Sequence, residues 1–266
     1  MQLESAPDPA WVGALTGCSS DRAERLLTEA AAERHLFAHL AREHRREGRS
    51  SYIEIDAPLE LHAIVRALRP LRVLEVGVSS GVSTAYLLAA LDRNGRGTLH
   101  SVDLPSYPRR SRSGRAAPLA SWTLPPGREP GWAIPSALRH RWVLHLGDKG
   151  ELLPQLAKEL PRIDLFVYDV PHECSQSYRE FRSLDPRLPV GAVAIADHGP
   201  GGSLCPALAR WAARTGGRPV RRVGLGLFGF RKRRRARSTP RTARPGPLAK
   251  STTGPRATDG PTPPRR

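Results

Sequence analysis

The stretch Val73-Leu74-Glu75-Val76-Gly77-Val78-Ser79-Ser80-Gly81-Val82-Ser83-Thr84 constrains this chain most. An apolar run broken only by Glu75 stops at a glycine and passes within a few residues into an Ala- and Leu-rich pattern of helical period. Apolar on both faces, the run suits a buried parallel strand, and Gly77 and Gly81 bracket a tight turn that opens a helix with its positive dipole end exposed. Such a turn lets backbone approach a nucleotide-type ligand. A dinucleotide-binding turn reads G-x-G-x-x-G and packs backbone against a pyrophosphate. Here the middle glycine position is Ser79, and Glu75 sits two residues before Gly77. A carboxylate there repels phosphate and pairs with an ammonium group, so these residues point to a zwitterionic amino-acid nucleoside rather than to NAD.

The order hydrophobic-hydrophobic-Glu/Asp-hydrophobic-Gly-x-x-x-Gly resembles motif I of class I S-adenosylmethionine-dependent methyltransferases. The resemblance extends over about 52–230 and is carried further by Leu124-Pro125-Pro126-Gly127-Arg128-Glu129-Pro130-Gly131-Trp132, by Arg141 to Asp148, by Glu151-Leu152-Leu153-Pro154, and by Asp164-Leu165-Phe166 running to His172. These are similar to a branch of bacterial methyltransferases related to the catechol O-methyltransferase kind. The resemblance implies S-adenosylmethionine as cofactor, with Glu75, Gly77, Ser79 and Gly81 around it.

The rest of the chain alternates strand and helix patterns in the same sense. Residues 1–17 are punctuated by Pro and Gly and are expected to be loosely held, and Ser19 or Ser20 caps a helix through about Arg46, giving an N-terminal helical segment over 1–50. His35, His39 and His44 on that helix read as a solvated face, since no Cys or third ligand accompanies the i, i+4 pair His35 and His39. Tyr52 and Ile53 precede a helix from Pro58 to Leu68 and serve either to cover the cofactor or simply to pack. Strands follow at Arg72–Val76, Thr98–Val102, Arg141–Leu146, Ile163–Tyr168 and Gly191–Ala196, with helices between them. Pro219–Val223 and Leu225–Phe230 then resemble a terminal hairpin. The expected fold is α/β, a Rossmann-like doubly wound and mostly parallel seven-stranded sheet with a terminal antiparallel hairpin strand, over 51–230. Seven prolines between Pro105 and Pro135 interrupt any regular element across 104–141. An insertion after a strand's carboxyl end overhangs the ligand face, so it reads as a substrate lid or as a surface loop pinned by Trp122 and Trp132.

Charge is unevenly distributed. The chain carries 42 Lys and Arg against 25 Asp and Glu, a net +17, but twelve of those bases and the single acid Asp259 fall in 231–266, so that segment holds +11 and the preceding 230 residues +6. Rich in Pro, Thr, Ser and Arg, 231–266 cannot bury a core and is expected to be disordered. It is without aromatic residues for base stacking, so binding or methylation of nucleic acid through it is the alternative and a small-molecule acceptor the leading expectation. Cys18, Cys174 and Cys205 form no C-x-x-C pair, no apolar leader precedes a cleavage-like site, and nothing approaches the roughly 18 apolar residues of a membrane span. A reducing cytoplasm is the expected compartment, with no membrane partner.

Chemistry concentrates at the carboxyl ends of the strands. Asp103 closes the second strand, where a carboxylate can accept a ribose diol. In related methyltransferases the position of Asp148 touches the adenine edge, although an Asp before an apolar-periodic run also makes a good helix cap. Asp169 and Asp197 end the fourth and fifth strands, and like charges so placed call for a cation. Mg²⁺ suits oxygen ligands, whereas His198 stands where metal-dependent relatives carry Asn or Asp and suits Mn²⁺ better. Asp169, Asp197 and His198 are thus the candidate metal ligands, and Asp-x-x-His without metal is the competing reading. His172, three residues after Asp169, occupies the place of the base that takes the acceptor's hydroxyl proton in those relatives. An NAD-dependent oxidoreductase is disfavoured by Ser79, and a noncatalytic homologue by the intact set Glu75, Gly77, Gly81 and Asp103.

Overall fold

The structure, a computed structural model, describes residues 6–47, 57–104, 124–170, 174–198, 202–222 and 224–234. Seven strands, β1 (Arg72–Val76), β2 (Thr98–Asp103), β3 (Trp142–Leu146), β4 (Leu165–Tyr168), β5 (Val193–Asp197), β6 (Pro219–Arg221) and β7 (Leu227–Arg231), form one sheet in the order β3-β2-β1-β4-β5-β7-β6. The first five are parallel; β7 runs antiparallel to β5 and to β6. This is the mostly parallel, Rossmann-like sheet with a terminal hairpin that the alternation of patterns demands.

Side chains alternate across the sheet, so each strand feeds two cores. Val73, Leu99, Leu165, Val167, Val193 and Ile195 face one layer of helices, α1 (Pro9–Thr16), α2 (Ser20–Ala31), α3 (Arg34–Arg46), α4 (Pro58–Leu68) and α5 (Val82–Asn94). Leu74, Val76, Val102, Phe166, Tyr168 and Ala194 face the other, α6 (Lys149–Glu159), α7 (Cys174–Leu184) and α8 (Pro206–Arg214). Phe166, Tyr168, Phe181 and Trp211 meet edge-on or tilted in that second layer, with ring centroids 4.9–5.8 Å apart. Aromatic edges meet faces at such distances, which adds to the area they bury.

The N-terminus is better held than its Pro and Gly content predicts. Asp8 caps α1 by accepting from the Trp11 amide at 3.0 Å, and Pro9 supplies the first helical φ. Trp11 is 1% exposed and donates its indole N–H to the Val220 carbonyl at 3.0 Å, pinning α1 to the hairpin. Leu15 lies so close to Gly229 that a Cβ there would stand 2.5 Å from its methyl carbons. Where a single helix is expected from Ser19 to Arg46, the chain breaks at Ala32–Glu33 and α3 sets off anew, while Glu33 pairs with Arg93 of α5.

At the other end, β7 includes Arg231, and Lys232 is buried with its ammonium 2.7 Å from the Asp185 carboxylate. The first residues of the basic run therefore belong to the fold, and the segment expected to be disordered lies, from residue 235 on, outside the described residues. Among the described residues no helix is long and apolar enough to cross a membrane.

Candidate active site

The carboxyl ends of β1, β2, β3, β4 and β5 lie along one edge, and every candidate residue among those described is on or beside it. Glu75, the acid of the first motif, points beneath the turn. Its carboxylate accepts from the hydroxyls of Ser83 (2.9 Å), Thr84 (2.8 Å) and Ser101 (2.7 Å), and Ser101 in turn accepts the Trp142 indole N–H at 2.9 Å. Full burial lifts its pKa to about 7 against the three hydroxyl bonds that lower it, with the neighbouring Asp103 charge adding to the rise. Glu75 thus joins β1, α5 and β2, rather than presenting an open carboxylate to an ammonium group.

Above it the turn is held from two sides. Asp103 Oδ2 accepts from the amides of Val78 and Ser79, both at 2.8 Å, and Oδ1 from the Leu104 amide at 2.7 Å. Ser79 stands at φ 46°, a left-handed conformation uncommon for a residue with a Cβ, and the Asp103 bond to its amide helps hold it there. The Gly131 amide donates to the Ser79 carbonyl at 2.8 Å and the Ala133 amide to the Ser80 carbonyl at 3.0 Å. The two glycines answer close approaches within the protein. A Cβ on Gly77 (φ 95°) would lie 1.9 Å from the Asp169 carbonyl oxygen, and one on Gly81 (φ 93°) 2.5 Å from Ile134 Cγ1. Sequence reasoning assigned both to a ligand; the packing that requires them is not visible in the motif itself.

Gly131, Ala133 and Ile134 belong to the segment expected as a lid or pinned loop. Its described part braces the turn and reaches α3, where Trp132 packs on the His44 ring at 5.2 Å and Arg128 pairs with Glu47. Trp122 lies outside the described residues, as do Tyr52 and Ile53. Asp148 caps α6, accepting from the Gly150 amide at 2.7 Å. The Gly147 amide donates to the Asp103 carbonyl at 2.9 Å, which sets the end of β3 beside the end of β2.

On the far side of the turn, Asp169 follows Tyr168 and Asp197 follows Ala196, two residues paired in register on adjacent strands. His198 turns its ring edge-on to Phe228, centroids 5.5 Å apart. Among the described residues no three of His, Cys, Asp and Glu come together as a metal-binding group. The pairing of β4 with β5 brings the backbone of Asp169 and Asp197 together at this edge, with His198 one residue further on. His172 lies outside the described residues.

Two features of this edge escaped sequence reasoning. Cys174 and Cys205, far apart in sequence and outside any C-x-x-C pattern, are joined by a disulfide, sequence separation 31, and Cys18 is the free thiol. Each cysteine stands at the start of the helix that follows one of two adjacent parallel strands, a correspondence that could have suggested the pairing. Beneath the same edge, the Lys149 ammonium donates to the Tyr168 hydroxyl (3.0 Å) and to Glu180 (2.7 Å), and the Tyr168 hydroxyl donates to the other Glu180 oxygen. Burial, followed by Glu180, pushes the Tyr168 pKa well above its ordinary value, so this group is a neutral brace.

Residues 74–198 match a family described as a methyltransferase domain. No curated protein matches the chain. Among solved structures, a candidate O-methyltransferase from Klebsiella pneumoniae is 16% identical, with 74% of this chain and 90% of that chain covered and a TM-score of 0.50. The O-methyltransferase NovP is 16% identical over 72% of this chain and 88% of its own, TM-score 0.50. The O-methyltransferase TomG from Streptomyces achromogenes, solved with S-adenosylmethionine, is 18% identical over 74% and 89%, TM-score 0.49. At these identities the likeness is one of fold.

Proposed function

We propose that this chain, which over residues 74–198 matches a family described as a methyltransferase domain, is a class I S-adenosylmethionine-dependent methyltransferase and methylates an oxygen of a small-molecule acceptor. The observation that carries the reading is the turn between β1 and α5, held by Asp103 on one side and by Gly131 and Ala133 on the other. When bound, S-adenosylmethionine supplies a methyl carbon on a cationic sulfur that leaves as a neutral thioether.

The residues present fit that group. Asp103, the residue read as the ribose acceptor, also holds the turn by accepting from the amides of Val78, Ser79 and Leu104. Backbone of the turn, where Gly77 and Ser79 are the partly exposed residues, would meet the amino-acid part beside the N-terminus of α5. Gly147 and Asp148 border the adenine side. Glu75 acts from below, keeping Ser83 and Thr84 of α5 in place. Asp169, Asp197 and His198 would hold a divalent ion such as Mg²⁺ or Mn²⁺, whose chemistry there would be to polarise the acceptor hydroxyl. His172 takes the proton from the attacking hydroxyl, a task a neutral imidazole performs near its ordinary pKa. Positioning of the acceptor against the methyl carbon contributes roughly 7–11 kcal/mol in well-aligned systems, and the rigid strand ends are the means of providing it here.

Calorimetric titration with S-adenosylhomocysteine, with and without Mg²⁺ or Mn²⁺, tests the reading. Saturable binding that neither ion changes is expected, and a folded sample that takes up no ligand at millimolar concentration overturns it. Asp103→Ala should weaken binding roughly tenfold or more, through lost charge-assisted bonds to the turn. His172→Ala should leave binding nearly intact and slow turnover by about 10²–10⁴.

A further inference from the structure

The opposite edge of the sheet, where the parallel strands begin, carries a cavity of about 400 Å³. Leu71, which precedes β1, and Val190, in the turn before β5, give it apolar wall; both are exposed, Val190 at 59%. Four arginines line it, Arg69, Arg96, Arg162 and Arg231, against one acid, Asp164. That acid is fully occupied. Its Oδ2 accepts from the amides of Leu71 (2.8 Å) and Arg72 (3.0 Å), and its Oδ1 from the Arg162 guanidinium. Among the described residues Arg69, Arg96 and Arg231 have no carboxylate partner; Arg69 donates to the Asn94 carbonyl, and Arg231 lies over Gly17.

The helix geometry accounts for part of this charge. Arg69 caps the C-terminus of α4 and Arg96 follows the C-terminus of α5, and helix C-termini attract cations. Each such terminus carries only about half a negative charge, so two of them leave roughly +2 uncompensated beside an apolar wall. Guanidinium groups are planar donors matched to phosphate oxygens.

We propose that this cavity is an anion site, separate from the methyl-transfer edge, that takes a diphosphate-type group, with Leu71 and Val190 receiving the apolar body attached to it. Arg96 and Arg69 are its principal phosphate contacts. The site does not depend on the cofactor turn, so its failure and that of the methyltransferase reading are distinguishable.

The test is calorimetric titration of the full chain with inorganic pyrophosphate, beside parallel titrations of Arg96→Glu and Val190→Asp. Both substitutions fall on exposed turns and place a carboxylate in the cavity. Expected are one saturable site in the parent chain, an affinity that falls with added salt, and a loss of roughly tenfold in each variant, with S-adenosylhomocysteine binding unchanged. Absence of saturable binding at millimolar pyrophosphate overturns the proposal. So does binding that both variants retain, since the anion would then be held by the basic residues elsewhere.

Discussion

Glu75 is a carboxyl group sealed between three hydroxyls, and its position has a consequence for stability. Its ordinary pKa of 4.5 rises to about 7 in the fold, chiefly through burial. Between those two values the folded protein holds a proton that the unfolded chain has released, so this group's contribution is greatest below about pH 4.5 and declines until about pH 7. Glu75→Gln removes the decline. Urea midpoints at pH 5 and pH 8 should show the variant faring better relative to the parent chain at the higher pH; equal differences at both would show an ordinary carboxyl there. Glu75, Gly77, Gly81 and Asp103 were all legible as special positions, but not their partners. A motif reveals where a Cβ is missing or an acid is kept, while what stands opposite, the Asp169 carbonyl or the Ile134 side chain, comes from other strands and loops. Asp148 shows the same limit, because a cap and a ligand contact leave one signature at the end of a strand.

At the scale of elements, the buried strands were the most legible, since β4 and β5 are apolar along nearly their whole length and β1 is interrupted only by Glu75. Helix α4 was equally plain, begun by Pro58 at its first position. The break between α2 and α3 was not, for no Gly or Pro marks it and the periodicity runs through. Nor was α1, whose eight residues are stabilised by Trp11 reaching a hairpin some two hundred positions away. The bridge between Cys174 and Cys205 ties the starts of α7 and α8, helices that follow the strands bearing Asp169 and Asp197. A loop of 31 residues closed in this way restricts the unfolded chain by about 3–4 kcal/mol in the chain-entropy account. Cys205→Ser should therefore lower the urea midpoint, and reducing the parent chain with dithiothreitol should bring it to the same value. A midpoint indifferent to both treatments would show that the link contributes nothing.

For the whole molecule, a mostly parallel sheet with helices on both faces followed from the alternation of strand and helix patterns, and the charge count separated a mildly basic fold from a strongly basic terminus. The boundary drawn at 231 was early, because a run of cations reads as solvated until a partner such as Asp185 is seen to hold one of them. Truncation after Arg234 should leave S-adenosylhomocysteine affinity and methyl transfer within about twofold of the full chain, as expected for changes remote from a site. Loss of either would bring the terminus into the reaction. The antiparallel course of β7 sets where the chain departs. It descends from the strand ends that gather Asp103 and Asp169 to the opposite rim, where Lys232 bonds to Ala192. A support or fusion partner joined directly at Arg234 in place of the residues after it would thus grip the molecule by its underside and leave the strand ends near Asp103 and Asp169 facing the bulk solution.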